Sequence, residues 1–328
     1  MALSSKPPMS AAREKIAVAR LSVYSNALLV VLKLVAGILM MSVAVISEAI
    51  HSGMDLLAAL IARFSVKKSA EPADQEHQYG HGKYENLSGM IEGALIFVAA
   101  IWILYEAMGR LLGEEQQVEF LLGGIVVMAV STTLNLYVGM RLRKVAKKTD
   151  SLALEADAYH LLTDVGTSVG VLIALILIQF TGYQWLDPAI AIIVAAIIIH
   201  AAYDITRRST EGLLDKSLPE AEIKLVEAVI RRHESAVLNF HKLRARKMGS
   251  DRQIDLHLVV PHGLSVKEGH DLVDDLERDI KKELPHTTVV VHIEPCDANC
   301  ERCKMSPAEN GTGAECVDGD SSNCRPKQ

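Results

Sequence analysis

Apolar residues crowd the first two thirds of this 328-residue chain in six runs, each long enough to cross a bilayer, and that segregation constrains the fold more than any motif. A spanning helix needs about 20 mostly apolar residues. The runs are Ile16 to Leu39, Ser42 to Val66, Tyr84 to Leu112, Phe120 to Leu142, Leu152 to Phe180 and Trp185 to Ile205. Half the residues are hydrophobic and the mean hydropathy is +0.21, above what a soluble chain of this size carries. After Arg207 the composition becomes that of a soluble domain, dense in Asp, Glu, Lys and Arg. The expected organisation is a cytoplasmic arm (1–15), an all-α six-helix transmembrane domain (16–208), a cytoplasmic α+β domain (209–295) and a Cys-containing flexible tail (296–328). The first run is too long and too weakly terminated for a cleaved signal peptide. A net charge of −6 argues against nucleic acid as a partner. All five cysteines follow residue 295, which excludes a disulfide-built extracellular scaffold.

Orientation follows Lys and Arg. They gather in the N-terminal arm (Lys6, Arg13, Lys15, Arg20), between the second and third runs (Arg63, Lys67, Lys68, Lys83) and between the fourth and fifth (Arg141, Arg143, Lys144, Lys147, Lys148). The alternate connections are nearly bare of positive charge. Both termini are therefore expected in the cytoplasm, in a membrane read as a bacterial inner membrane.

An Asp at the centre of a spanning helix costs roughly 2.5–3.5 kcal/mol on insertion scales, so such residues face a cavity or one another. The second run reads Glu48-Ala49-Ile50-His51-Ser52-Gly53-Met54-Asp55 and the fifth Asp157-Ala158-Tyr159-His160-Leu161-Leu162-Thr163-Asp164. An acid, His three residues on and Asp four further recur in both. Positions i and i+4 share a helix face, so each helix projects an imidazole and a carboxylate on one stripe. Two facing stripes supply two nitrogens and two oxygens, a set that suits tetrahedral Zn²⁺ better than octahedral Mg²⁺ or Mn²⁺. The alternative is interhelical polar glue. Glu48 and Asp157, a turn away, are read as outer partners of the set or as groups lining wet helix ends. An intramembrane metalloprotease would need a helical His-Glu-x-x-His, which is absent, and four closed ligands leave no open position for an activated water, so no enzyme activity is expected.

The paired His-x-x-x-Asp strings, with Tyr79-Gly80-His81-Gly82-Lys83, make the chain resemble the cation diffusion facilitator family of zinc and related divalent-metal exporters, nearly as far as Cys296. The resemblance implies a transport site of His51, Asp55, His160 and Asp164, in the His-Asp/His-Asp form associated with zinc. It implies a second zinc site from Asp74, His77 and His81, although exposed loops also carry histidines for solubility. It pairs Lys83 with Asp215 as a charged lock in a homodimer, where a snorkelling lysine is the plainer reading. It gives the C-terminal domain a ferredoxin-like, metallochaperone-like form, with a metal site of His241, His257, His270, His292 and Glu294. Glu294 stands where the family carries a bridging Asp, one methylene shorter.

The C-terminal pattern agrees with that form. Helical periodicity runs over Glu220 to Arg232, strands over Val237 to Met248 and Arg252 to Val260, a helix over Ser265 to Leu284 with Ser265 as N-cap and Glu268 three on, and a last strand over Thr287 to Ile293. Strand alternation puts Ile254, Leu256, Leu258 and Val260 on one face and His257 on the other, and groups His292 with Glu294. Surface histidines without an ion remain the alternative. Cys296, Cys300, Cys303, Cys316 and Cys324 are read as a zinc-capture tail or as an incidental one. The expected function is zinc export from the cytoplasm in exchange for protons across the lipid bilayer, since Zn²⁺ needs deprotonated ligands and reference pKa values near 6.5 and 3.9 make histidine the group that exchanges near neutral pH. The alternatives are Fe²⁺, Co²⁺, Ni²⁺ or Cd²⁺ as the main ion, or a membrane-anchored metal sensor.

Overall fold

The structure, a computed structural model, describes residues 9–39, 43–112, 122–181, 183 and 185–296. Glu114, Glu115 and the cysteines of the tail after Cys296 lie outside the described residues, as does the side chain of Glu48. The chain divides after Leu214 into two compact units.

The first unit holds six long helices: α1 (Met9–Leu39), α2 (Val43–Ser69), α3 (Lys83–Leu111), α4 (Leu122–Thr149), α5 (Leu152–Thr181) and α6 (Leu186–Leu213). Among the described residues, α1, α2, α3 and α6 are long and apolar enough to cross a membrane. Large apolar side chains such as Leu28, Val31, Trp102, Val126 and Ile197 point outward, which water would penalise and lipid does not. Several helices outrun their apolar stretches at the end rich in basic residues: α1 begins at Met9, α4 ends at Thr149 and α6 at Leu213.

Small residues set the closest packing. Gly89 and Gly93 form a Gly-x-x-x-Gly step on α3, where an added Cβ would run into Ser209 and Thr206 of α6. Gly212 of α6 gives the same close approach to Asn86 of α3. In lipid no hydrophobic effect drives helices together, so such backbone proximity supplies the association through dispersion contacts.

The second unit runs α7 (Glu220–Arg232), β1 (Asn239–Met248), β2 (Asp251–Val260), α8 (Val266–Glu283) and β3 (Thr287–Pro295). The sheet order is β1-β2-β3, with β1 antiparallel and β3 parallel to β2. The core joins Val226, Val229 and Ile230 of α7 and Leu276 and Ile280 of α8 to Ile254, Leu256, Leu258 and Val260 of β2. Ser265 caps α8 in a full capping box with Glu268. Both helices therefore lie on the Ile254 face of the sheet and leave the His257 face open.

One irregularity decides what that open face carries. The register pairs His241 with His257 and Arg244 with Asp255, so β1 holds an extra residue there, with Lys242 at φ 51°. Ala245 sits on the core face opposite Ile254. Strict alternation back from Ala245 would turn His241 toward the core; the bulge reverses the parity and turns it to the open face.

Candidate metal centres

The α2 and α5 stripes meet. Asp55 Oδ1 lies 3.0 Å from His160 Nε2 and 3.9 Å from His51 Nε2, and His51 Nε2 lies 3.8 Å from Asp164 Oδ1. Ligand atoms on a tetrahedral zinc with bonds near 2.0 Å stand about 3.3 Å apart, so these separations bracket what one ion needs. Candidate ligand atoms of His51, Asp55 and Asp164 all fall within 4.8 Å of one another, and His160 joins through Asp55. Asp55 and His160 are buried, whereas the His51 side chain is half exposed, leaving one open flank. Asp164 Oδ2 is buried without a hydrogen-bond partner, an acceptor that a cation would satisfy.

The second cluster is built by a tight turn. The backbone N–H groups of His77 and Glu76 donate to Asp74 Oδ1, and they hold the Asp74 carboxyl below the usual range against the opposite pull of desolvation. The Gly80 N–H bonds back to the His77 carbonyl with Gly80 at φ 87°, a conformation glycine adopts without strain. The chain thereby returns His81 to Asp74, with Nε2 3.3 Å from Oδ2, and brings the His77 and His81 rings to 4.6 Å. That contact lacks hydrogen-bond geometry, so both His81 nitrogens are buried without a partner. Two imidazoles and a carboxylate with unspent lone pairs fit a zinc ion.

On the open face of the sheet His241, His257 and His292 stand abreast across the three strands, each the register partner of the next. Glu294, two residues past His292 on the same face, bridges them. Its Oε1 is 2.7 Å from His257 Nδ1 and 3.7 Å from His292 Nε2, and its Oε2 is 3.0 Å from His241 Nε2. The hydrogen bond with His257 holds the Glu294 carboxyl below its usual value, helped by the charge of His241. Both His241 nitrogens lack hydrogen-bond geometry to any neighbour, so this donor set also fits a metal ion. Within one protomer His270 stands apart: it is exposed on α8 and lies 3.6 Å from Asp274.

Lys83 Nζ donates to the carbonyl of Leu213, and Asp215 accepts from Arg246 at 2.9 Å. Asp157 is fully buried, with neither carboxylate oxygen in a hydrogen bond.

Further buried polar groups lie along the helices of the first unit. Lys33 of α1 is buried and donates to Ser52, the neighbour of His51, at 2.8 Å. Glu85 of α3 takes Lys15 of α1 at 2.9 Å, Ser69 of α2 at 2.9 Å and Ser151, at the start of α5, at 2.5 Å. Glu92 is fully buried on α3. A charge inside an apolar run is the signal that could have found Lys33 and Glu92.

A helical unit with facing imidazole–carboxylate stripes, followed in the chain by an α+β domain with its own histidine cluster, defines a membrane protein that handles metal cations. Residues 19–214 match the cation efflux transmembrane domain and residues 218–296 the cytoplasmic domain of cation efflux proteins. The uncharacterized transporter sll1263 of Synechocystis sp. is 38% identical over 256 residues, 78% of this chain and 82% of its own length. The cation-efflux pump FieF of Shewanella oneidensis is 32% identical over 276 residues, 84% of this chain and 92% of its own. A solved structure of CzrB in its Zn form covers 25% of this chain and 92% of its own at 33% identity, with a TM-score of 0.24. The chain belongs to the cation diffusion facilitator family, whose members are integral membrane transporters of metal cations and not enzymes.

Proposed function

We propose that this protein exports zinc from the cytoplasm in exchange for protons, as a homodimer that binds the travelling ion between α2 and α5. The observation that carries this reading is the cluster of His51, Asp55, His160 and Asp164, two imidazoles and two carboxylates at 3.0–3.9 Å with one flank open. Mixed nitrogen and oxygen donors at tetrahedral spacing favour Zn²⁺ over the hard, octahedral ions. Metal and protons compete for the same lone pairs, so loading from the cytoplasm releases protons and protonation from the far side releases the ion. The topology that serves this cycle has six spans with both termini in the cytoplasm of a bacterial inner membrane. Asp74, His77 and His81 hold a second ion near the cytoplasmic mouth. His241, His257, His292 and Glu294 hold a regulatory ion, which His270 joins only by rearrangement or from a second protomer. Lys83 and Asp215 lock the dimer.

Purified protein in liposomes tests the proposal by flux under competing Zn²⁺, Fe²⁺, Co²⁺, Ni²⁺ and Cd²⁺, with and without a pH gradient. Zinc flux that follows the gradient and resists the competitors is expected. Flux indifferent to the gradient would remove proton exchange, and preferential transport of another ion would remove zinc.

A further inference from the structure

The face of α5 beside its ligand stripe is shaped for something else. Tyr159, Leu162, Thr163, Gly166, Val169, Gly170 and Ile173 recur at helical spacing and line a groove of about 560 Å³, closed on its other side by α6 from Ile190 to Ala201. The wall is hydrocarbon apart from the Tyr159 and Thr163 hydroxyls and one charge, Arg143 of α4. Arg143 is exposed and has no acidic partner among the described residues, while Arg207 and Arg208 of α6 are spent on Glu211 and on Glu155 and Asp204. At 1.5 Å per residue the wall runs about 16 Å along α6 and about 21 Å along α5, a length that one extended acyl chain can follow. Gly166 leaves the middle of the groove open: a Cβ there would meet no atom within 4 Å.

We infer that this groove is a binding site for an acidic phospholipid, one acyl chain lying between α5 and α6 and the phosphate held by Arg143. The assignment of leaflet rests on the orientation proposed above, which puts Arg143 at the cytoplasmic surface; the site itself does not. Water cannot fill such a wall favourably, and an empty groove would forfeit dispersion contacts on both helices. A zwitterionic lipid satisfies the hydrocarbon but leaves the cation without net counter-charge, so charge complementarity selects the acidic headgroup. Tyr159 and Thr163 directly precede His160 and Asp164, so a chain seated there braces the helix that carries half of the metal cluster.

The test is native mass spectrometry of the full-length protein from mixed vesicles of phosphatidylglycerol and phosphatidylcholine, counting retained lipids with no metal or gradient present, so that the outcome is independent of transport. The parent should retain phosphatidylglycerol about fivefold over phosphatidylcholine, the weight of one basic side chain at an anionic surface. Arg143→Gln should bring that ratio to one and Arg143→Lys should keep it. Gly166→Phe, or the milder Gly166→Leu, should empty the groove of both lipids. A parent without preference, an Arg143→Gln variant that keeps it, or groove-filling variants with unchanged lipid counts would overturn the assignment. Cross-linking of Thr163→Cys between two protomers would give the groove to a second copy instead.

Discussion

Asp164→Asn is the most direct perturbation of the proposed transport site, because it removes one charge and changes almost no volume. Asp164 Oδ1 faces His51 Nε2 at 3.8 Å and its Oδ2 has no hydrogen-bond partner, so the substitution breaks no hydrogen bond of that carboxylate. A four-ligand zinc site is worth about 10–16 kcal/mol in apparent terms near neutral pH, or roughly 3 kcal/mol per ligand. At about 1.4 kcal/mol per decade the zinc Kd should rise on the order of a hundredfold. The assay is zinc titration of full-length protein in which His77, His81, His257 and His292 are alanine and the tail cysteines serine, so that the α2–α5 cluster is the zinc site under test. Asp55→Asn should cost more, since Asp55 Oδ1 faces both His160 and His51. A Kd within threefold of the parent, with proton-driven flux retained, would refute the four-ligand assignment.

His51→Asp should widen metal selection by exchanging an imidazole for a harder oxygen, read as Fe²⁺ or Mn²⁺ flux relative to zinc; transport of zinc alone would remove His51 from the ligand set. Replacing His257 and His292 with Ala should leave basal flux but abolish any zinc-dependent change in the distance between labelled cytoplasmic domains. Ser265→Ala should cost the cytoplasmic domain about 1 kcal/mol in thermal melting. The Ser265 hydroxyl and backbone N–H hold the Glu268 carboxyl below its ordinary value, so this contribution is complete above about pH 4.5 and is lost as pH falls through the lowered value; the variant should show a shallower acid limb. Gly93→Leu should destabilise the detergent-solubilised protein by about 1–3 kcal/mol or more, because its side chain would meet Thr206 and Ile205 of α6.

Hydropathy located the helices well and their ends less well. It reports where lipid begins, whereas helix propensity continues past that boundary, so α1 starts at Met9 rather than Ile16 and α6 reaches Leu213 rather than Ile205. In the soluble domain the period-2 and 3.6 patterns, with the Ser265–Glu268 box, place every element to within a few residues, and α7 matches at both ends. The α2–α5 cluster is legible because a four-residue spacing in a helix fixes a face. The position of His241 is not: its face depends on a bulge marked only by Lys242 at positive φ, and alternation alone gives the opposite side. The Glu85 junction was hidden for another reason. Its partners Lys15, Ser69 and Ser151 lie on separate elements far apart in sequence, and no local period brings them together.

The three clusters share one arrangement despite their different scaffolds. In each, one carboxylate stands between two imidazoles, Asp55 between His51 and His160, Asp74 between His77 and His81, and Glu294 between His241 and His257, while Asp164 and His292 add a further donor to the first and third. Of these rings only His160 and His257 are hydrogen-bonded to that carboxylate, and the others stand near it with lone pairs that a metal could use. Under the proposed function, a metal ion at any of the three competes with protons for imidazole nitrogens already gathered at ligand spacing. A helix stripe, a glycine turn and a bulged sheet each bring a carboxylate within about 4 Å of two imidazole nitrogens, each backbone by a different local device.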